Sequence, residues 1–197
     1  MPSDAKQNLM IAGTQLFAEH GFAGASVRDI CTAAGVGRNM IHHYFGNKDG
    51  LLAAILEEFS NEAFAPALRI IETPAKTAEE FRLKLDLFIT EKFEVLISYA
   101  QVFRILHREG SRYLPMKDLR DGLVAYVDAG QKSGFVSADI DSALIPGFLL
   151  DRLGNQILFA LAQGDTAEHN VLINPDYKSE WLTTNKALLM FGFVAKS

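Results

Sequence analysis

The sequence predicts an all-α fold, and three observations support this class. Almost every segment of the 197-residue chain has apolar residues at helical spacing. No segment shows the sustained apolar–polar alternation that is typical of a strand. Glycine and proline separate the segments at intervals typical of helix ends. With 49% hydrophobic residues, the chain can bury one large core, or one core and a small satellite domain.

The N-terminal residues predict three helices in succession. An apolar stripe at positions i, i+3, i+4, i+7 and i+8 marks the first helix and consists of Leu9, Ala12, Gly13, Leu16 and Phe17. Gly21 suits the left-handed position that follows a helix. Ser26 and Asp29 have the S-x-x-D spacing of a capping box, which predicts a second helix that ends at Gly35. A third helix over 38–45 follows a short turn, which is the helix-turn-helix arrangement.

The third helix is predicted to turn polar side chains away from the core. At about 100° per residue, Ile41 and Phe45 face inward. The predicted core of the three helices consists of Leu16, Phe17, Val27, Ile30, Val36, Ile41 and Phe45. The outward face carries Arg38, Asn39, Met40, His42 and His43.

This outward face could be a metal site, a solvated surface or a surface that contacts DNA. Adjacent histidines point about 100° apart on a helix, and neither His42 nor His43 has a cysteine or carboxylate three or four residues away. The pattern therefore argues against a metal. In a DNA major groove, Asn bonds adenine, Arg bonds guanine or phosphate, and Met packs on a thymine methyl group. DNA is the favoured partner, and a solvated surface is the alternative.

The stretch LFAEHGFAGASVRDICTAAGVGRNMIHHYFGNKDGLL closely resembles the N-terminal DNA-binding domain of the TetR family of transcriptional regulators. The resemblance covers about residues 6–60, and beyond Glu58 it is one of architecture only. It implies a dimer that binds double-stranded DNA and responds to a small molecule. The residues that it places at the DNA are Ser26, Arg28, Gly37, Arg38, Asn39, Met40, His42, His43, Tyr44 and Lys48.

The chain departs from the common family pattern at the entry to the third helix and within it. Gly37 stands where serine is usual, and Asn39, Met40 and His42 stand where glycine, threonine and tyrosine are common. These departures affect the expected operator sequence, not the binding mode. The formal net charge of −5 lies entirely in residues 51–197, because residues 1–50 hold four basic and four acidic side chains. The neutral N-terminal part is unusual for a DNA-binding surface.

Residues 51–197 predict a second helical domain. We therefore expect a helix-turn-helix DNA-binding domain over 1–50 and a ligand-binding and dimerisation domain over 51–197. Pro66 predicts a bend or break in the fourth helix, and Thr77 is a candidate N-cap. Further helices are predicted over 77–97, 99–109, 115–133, 139–163 and 178–195.

The last two predicted helices are apolar on nearly every side, so a partner subunit is expected to cover them. The resemblance implies the same, because the corresponding pair builds the dimer interface of the family. The candidate dimerisation residues are Gly147, Leu153, Gly154, Ile157, Trp181, Leu188 and Leu189. Pro146 is expected to kink its helix unless the helix begins there.

Aromatic and polar residues share several of the later helices. An apolar cavity with a few polar groups is the usual small-ligand site, and the resemblance implies one in this domain. The candidate ligand-binding residues are Phe88, Phe103, His107, Tyr126, Phe148, Asp151, Arg152 and Asn155. Alternatively, the polar groups form bonds between helices or between subunits.

Other functional classes find little support. The sequence has no GxxxxGK, HExxH or GxSxG motif, and its single cysteine, Cys31, has apolar neighbours. We expect no enzyme activity, no cofactor and no metal. No apolar run approaches the length of a membrane span, and a signal peptide is absent, so a cytoplasmic protein is expected. The favoured function is a repressor that binds a palindromic operator as a dimer and is released by a largely apolar ligand. The alternative is a helical dimeric ligand- or protein-binding module with weak DNA binding.

Overall fold

The computed structural model describes residues 2–63, 65–109, 116–164 and 168–193. Within these ranges every regular element is a helix, which confirms the all-α prediction. The α-helices are α1 (Pro2–Gly24), α2 (Val27–Ala33), α3 (Asn39–Phe45), α4 (Lys48–Ala63), α5 (Ala65–Ile71), α6 (Ala78–Ser98), α7 (Ala100–Glu109), α8 (Met116–Lys132), α9 (Arg152–Gln163) and α10 (Pro175–Phe193).

The described residues divide into two compact units. The first unit contains those within Met1–Asn61 and Gln101–Leu114, and the second those within Glu62–Ala100 and Pro115–Ser197. Most of α4, and α7, thus group with the N-terminal helices. The domain boundary after residue 50 stays a prediction.

In the first unit, α1 contacts both α2 and α3. Phe17, Ile30 and Ile41 are buried as predicted, whereas Leu16, Val36 and Phe45 are half-buried. Val27 was predicted to lie in the core but is 36% exposed, because it is the first residue of α2, at the edge of the unit. α1 is interrupted at Gly21, where the helix was predicted to end, and its φ of 75° lies in the positive range that favours glycine. Its ψ of 165° is extended, which differs from the predicted left-handed helical position.

The core of the second unit is built on α6, which contacts α5, α9 and α10. Thr77 caps α6 as predicted, because its hydroxyl accepts a hydrogen bond from the backbone N–H of Glu80 at 3.1 Å. Two aromatic pairs fix the neighbouring helices: Phe81 stacks on Tyr126 of α8, and Phe93 on Trp181 of α10. Their ring centroids are 4.8 Å apart in both cases. Pro66 lies in the first turn of α5, where a missing backbone N–H costs little.

The segment around Pro146 is irregular. A 3₁₀ turn over Ser142–Leu144 precedes the proline, and a π-helical turn over Gly147–Asp151 leads into α9. Among the described residues, Ser142–Gln163 is long and apolar enough to cross a membrane by length and composition alone, so the expectation that no such run exists was wrong. In its most apolar window the mean hydropathy is 1.2 and 44% of the residues are buried, values that a core helix of a soluble protein also reaches.

Candidate nucleic-acid interface

The turn between α2 and α3 is held by local bonds and a small core. The hydroxyl of Ser26 accepts a hydrogen bond from the N–H of Asp29 at 3.1 Å and donates to the Asp29 carboxylate at 2.6 Å, so Ser26 caps α2 as the S-x-x-D spacing predicted. Ile30, Cys31 and Ile41 are buried, and Ile41 anchors α3 below its outward face. Burial raises the pKa of the Cys31 thiol, which stays protonated and lies 3.9 Å from the carbonyl oxygen of Arg38.

The outward face of α3 is the one predicted from its helical period. Arg38, Asn39, His42 and His43 are exposed, and Met40 is half-buried. The ring of His43 meets that of Tyr44 edge to face, with centroids 4.8 Å apart. This surface offers amide, guanidinium and imidazole groups within two helical turns, which suits the hydrogen-bonding edges of bases and the phosphates beside them.

The other predicted DNA contacts lie at the start of α2, in the turn before α3, on α3 and at the start of α4. Ser26, Arg28 and Gly37 are exposed, and Tyr44 is half-buried. The ammonium group of Lys48 is already engaged within the chain. It donates to the carbonyl oxygens of Phe22 at 2.7 Å and Ala25 at 3.0 Å, and lies 4.3 Å from the centre of the Phe22 ring. Two of its three N–H groups are thus used, and its contact with DNA stays a prediction.

Comparison with known proteins identifies this unit. The family model for bacterial regulatory proteins of the tetR family matches residues 9–55, which include all of α2 and α3. The chain therefore carries the N-terminal DNA-binding domain of TetR-family regulators. It is a DNA-binding transcriptional regulator and not an enzyme.

Relatives extend the similarity along the chain. It is 28% identical over 159 residues to the HTH-type transcriptional repressor KstR2 of Rhodococcus jostii (strain RHA1), covering 76% of both chains. Its fold is similar to that of the ketosteroid transcriptional regulator KstR2 of Mycobacterium tuberculosis, with a TM-score of 0.74, 20% identity and coverage of 97% and 95% of the two chains. The regulator FadR from Bacillus subtilis in complex with stearoyl-CoA gives a TM-score of 0.69 at 19% identity, covering 94% of this chain and 98% of that one.

The predicted ligand-binding residues are distributed over both units. Phe103 and His107 lie on α7 in the first unit, while Phe88 is fully buried in the core of the second. Tyr126 lines a cavity of about 510 Å³ between α5 and α8. The remaining four line an open cleft of about 640 Å³ and are Phe148, Asp151, Arg152 and Asn155. Sequence reasoning missed the α5 side of the Tyr126 cavity, because Ala65, Leu68, Ile71 and Pro74 are unremarkable apolar residues.

The predicted dimerisation residues separate into inner and outer groups. Leu153, Gly154 and Ile157 are buried within the second unit, and Trp181 is half-buried against Phe93. Leu188 is exposed, and Gly147 and Leu189 are half-buried. Their role in a dimer stays a prediction. Among the residues whose side chains the structure describes in α9, α10 and the π-helical turn, the large exposed apolar side chains are Phe148, Phe159 and Leu188. Of these only Leu188 was predicted for the dimer.

The cleft at Phe148 has ordered polar groups. Arg152 donates its Nε–H to the side-chain oxygen of Asn185, which is itself buried. Asp151 pairs with Arg120 of α8 at 2.5 Å. Among the residues that the structure describes, no three histidine, cysteine or carboxylate side chains are grouped so that they could hold a metal ion.

Proposed function

We propose that this regulator is a dimeric repressor that binds an inverted-repeat operator and is released by a small, largely apolar ligand. The observation that carries the proposal is the exposed polar face of α3, held on the buried side chains of Ile41 and Ile30. Such a face on a rigid short helix can enter a major groove, where Asn39 and Arg38 reach base edges. The repressor role is supported by the similarity to KstR2 of Rhodococcus jostii, a transcriptional repressor.

The ligand is proposed to bind in the cavity between α5 and α8. Its lining is mostly apolar, with the side chains of Arg69, Glu72 and Tyr126 as the polar groups. A cavity of about 510 Å³ is within the usual range for small-molecule sites. An apolar ligand also fits the two similar structures, one a ketosteroid regulator and the other a complex with stearoyl-CoA.

The dimer is proposed to form through the exposed face of α9 and α10. Phe148 is 67% exposed and Phe159 is 56% exposed, and both line the same cleft, so together they form an apolar surface that a partner subunit can cover. Leu188 of α10 is 63% exposed. A two-fold axis through this face would repeat α3 once per subunit. Two related α3 helices read an inverted repeat, with half-sites about one helical turn or more apart. Since its proposed partner is DNA, the protein is proposed to be cytoplasmic.

Selection of bound duplexes from a random pool tests the DNA function directly. The purified protein should enrich an inverted repeat, and affinity for that duplex should fall steeply as salt is raised from 50 to 200 mM, because bound phosphates release counterions. A pool that yields no common sequence after repeated rounds would contradict the proposal.

The ligand site is tested by filling it. Ala125 lines the cavity, so Ala125→Trp should abolish the fluorescence rise of the apolar probe 1-anilinonaphthalene-8-sulfonate on binding. Ala138, exposed in the second unit, provides the matched control, and Ala138→Trp should bind the probe as the wild type does. Equal binding by both variants would place the probe elsewhere.

A second function is favoured by two specific features. α3 lacks a side-chain cap, and residues 1–50 carry no net positive charge. The protein would then be a helical dimeric ligand- or protein-binding module with weak DNA binding. The same selection separates the two functions, because this alternative predicts salt-sensitive binding without sequence preference.

A further inference from the structure

The break in α1 removes normal partners from three backbone groups. In a continuous helix the N–H of Phe22 would donate to the carbonyl oxygen of Ala18, and the carbonyl oxygen of Glu19 would accept from Ala23. Gly21 has φ 75° and ψ 165°, which turns the chain away from this ladder. Backbone groups in this situation need partners from elsewhere in the protein.

Two consecutive residues at the end of α7 supply those partners. Arg108 donates from Nη1 to the carbonyl oxygens of Ala18 at 3.0 Å and Glu19 at 3.2 Å. Glu109 accepts the N–H of Phe22 through Oε1 at 2.9 Å. One cationic and one anionic side chain therefore cap both sides of the same break, and bonds to charged groups are among the stronger hydrogen bonds. We call Arg108 and Glu109 the α7 clamp.

The segment that follows the break is held from a second side. Lys48, at the start of α4, donates to the carbonyl oxygens of Phe22 and Ala25. Ser26 comes next and caps α2. Phe22, Ala25 and Ser26, which lie between the break and α2, are thus each held by a hydrogen bond, so the direction of the break is passed on to α2.

We propose that Arg108 and Glu109 are positioning residues for the DNA-reading helices. They fix the direction in which the chain leaves α1, and α2 and α3 both pack on α1. The two residues are not on the exposed face of α3, and their opposite charges cancel, so they act through geometry and not through attraction for phosphate. The inference rests on the proposed operator binding and identifies residues outside the groove-facing set on which that binding depends.

The clamp predicts different results for matched substitutions. Arg108→Met and Glu109→Leu should each lower operator affinity about tenfold or more, since each leaves backbone groups without partners. Glu109→Gln keeps a carbonyl oxygen that can accept from Phe22, so it should restore most of the affinity. Arg82→Met on α6 removes a positive charge from an exposed residue outside the first unit and should leave affinity unchanged.

The experiment measures binding of the full-length protein to the selected duplex and to a scrambled duplex, well below the unfolding temperature of each variant. Hydrogen exchange of the Phe22 amide is followed in parallel without DNA. We expect protection of this amide in the wild type and in Glu109→Gln, and its loss in Glu109→Leu. The ratio of operator to scrambled affinity should fall in the same variants.

The outcomes separate the clamp from the function on which it rests. Failure of the wild type to select any duplex would overturn the operator proposal. An operator bound equally well by Arg108→Met, Glu109→Leu and the wild type would overturn the clamp alone, as would equal losses for operator and scrambled DNA. If both variants fail to fold, Phe22 exchange in the wild type decides, because a rate equal to that of a free amide contradicts the clamp.

Discussion

Asn39 is exposed, whereas Ile41, two residues later on α3, is buried and only 2% exposed. This difference follows from the angle between them on a short helix that packs on one side only. The side chain of Asn39 carries both a donor and an acceptor, which suits the N6 and N7 atoms of adenine. Each side chain on the outward face therefore has its own expected contact with DNA, which can be tested by its own substitution.

Asn39→Ala should change base preference at one operator position. A lost bidentate contact is worth about 1–3 kcal/mol of discrimination, whereas phosphate contacts are unaffected. The measurement is competition between the selected duplex and single-base variants. Asn61→Ala, at an exposed asparagine of α4, is the control and should keep the wild-type preference. If Asn39→Ala lowers the affinity for cognate and scrambled duplexes equally, the proposed contact of Asn39 with a base in the major groove is contradicted.

Gly50→Ala should destabilise the first unit although Gly50 lies within a helix. A methyl group there would stand 1.9 Å from the carbonyl oxygen of Phe45, so backbone must move. We expect a loss of about 1–3 kcal/mol in the free energy of unfolding, measured by urea denaturation. Gly37→Ala meets nothing within 4 Å and is the control for stability. A Gly50→Ala protein as stable as the control would show that the α3–α4 junction adapts freely.

At the scale of elements, α6 begins with residues that favour the start of a helix, but its buried face contains a charged residue. Its cap at Thr77 and the acidic residues Glu79 and Glu80 in its first turn are favourable for any helix. Its buried side chains include one charged residue, Lys92, which is 3% exposed. Burial lowers the pKa of Lys92 to about 8, and the neighbouring carboxylate of Glu91 acts in the opposite direction.

Lys92→Met should therefore change the stability of the protein by an amount that depends on pH. The folded pKa of about 8 lies below the ordinary value of 10.5, so below pH 8 folding carries the cost of burying a charge. That cost corresponds to about 3 kcal/mol and disappears as pH rises from 8 towards 10.5. Unfolding free energies at pH 7 and pH 10 are the measurement, and the effect of Lys92→Met should be more favourable to the folded state at pH 7.

The control for this titration is Lys132→Met, since Lys132 is exposed at the end of α8. Its effect should be small and the same at both pH values. Measurements stay at or below pH 10 because burial also raises the pKa of Tyr126, so ionisation of this tyrosine in the unfolded chain lowers stability at higher pH. An effect of Lys92→Met that does not change between pH 7 and pH 10 would exclude a buried charge as its source.

At the scale of the whole molecule, assembly depends on which side of α9 and α10 faces outward. Leu153 and Ile157 fill the interior of their own unit, so a charge at either position would damage folding before it could affect association. Phe148, Phe159 and Leu188 are exposed apolar side chains on this side and can contact a partner. Substitutions on this exposed face test the proposed dimer more directly than substitutions of the buried residues that were predicted from the sequence.

Phe148→Asp and Leu188→Glu should convert the dimer to monomers and abolish operator binding. Both side chains are mostly exposed in the single chain, so the helical content measured by circular dichroism should not change. Sedimentation at micromolar concentration is the measurement. Leu83→Glu, at a leucine of α6 that is 59% exposed, is the matched control and should remain dimeric. A wild-type protein that sediments as a monomer would contradict the proposed assembly.

The sequence by itself determined the features that are set within one or two helical turns. The capping residues Ser26 and Thr77, the break at Gly21 and the outward face of α3 all depend on neighbouring residues and on the helical period. The start of α10 was less visible, because its cap at Asn174 and first residue Pro175 precede the apolar pattern. The helix therefore begins at Pro175, before the predicted residue 178.

Only the tertiary structure decided where distant segments meet. The sequence of α7 does not show that Arg108 and Glu109 bond to α1, nor that Lys48 bonds to Phe22. For helices that are apolar on nearly every side, periodicity cannot tell the inner side chain of Leu153 from the outer one of Leu188. The predicted ligand-binding residues were dispersed for the same reason. A cavity is defined by the path of the chain and by which helices lie side by side, and the local sequence pattern gives no information on either.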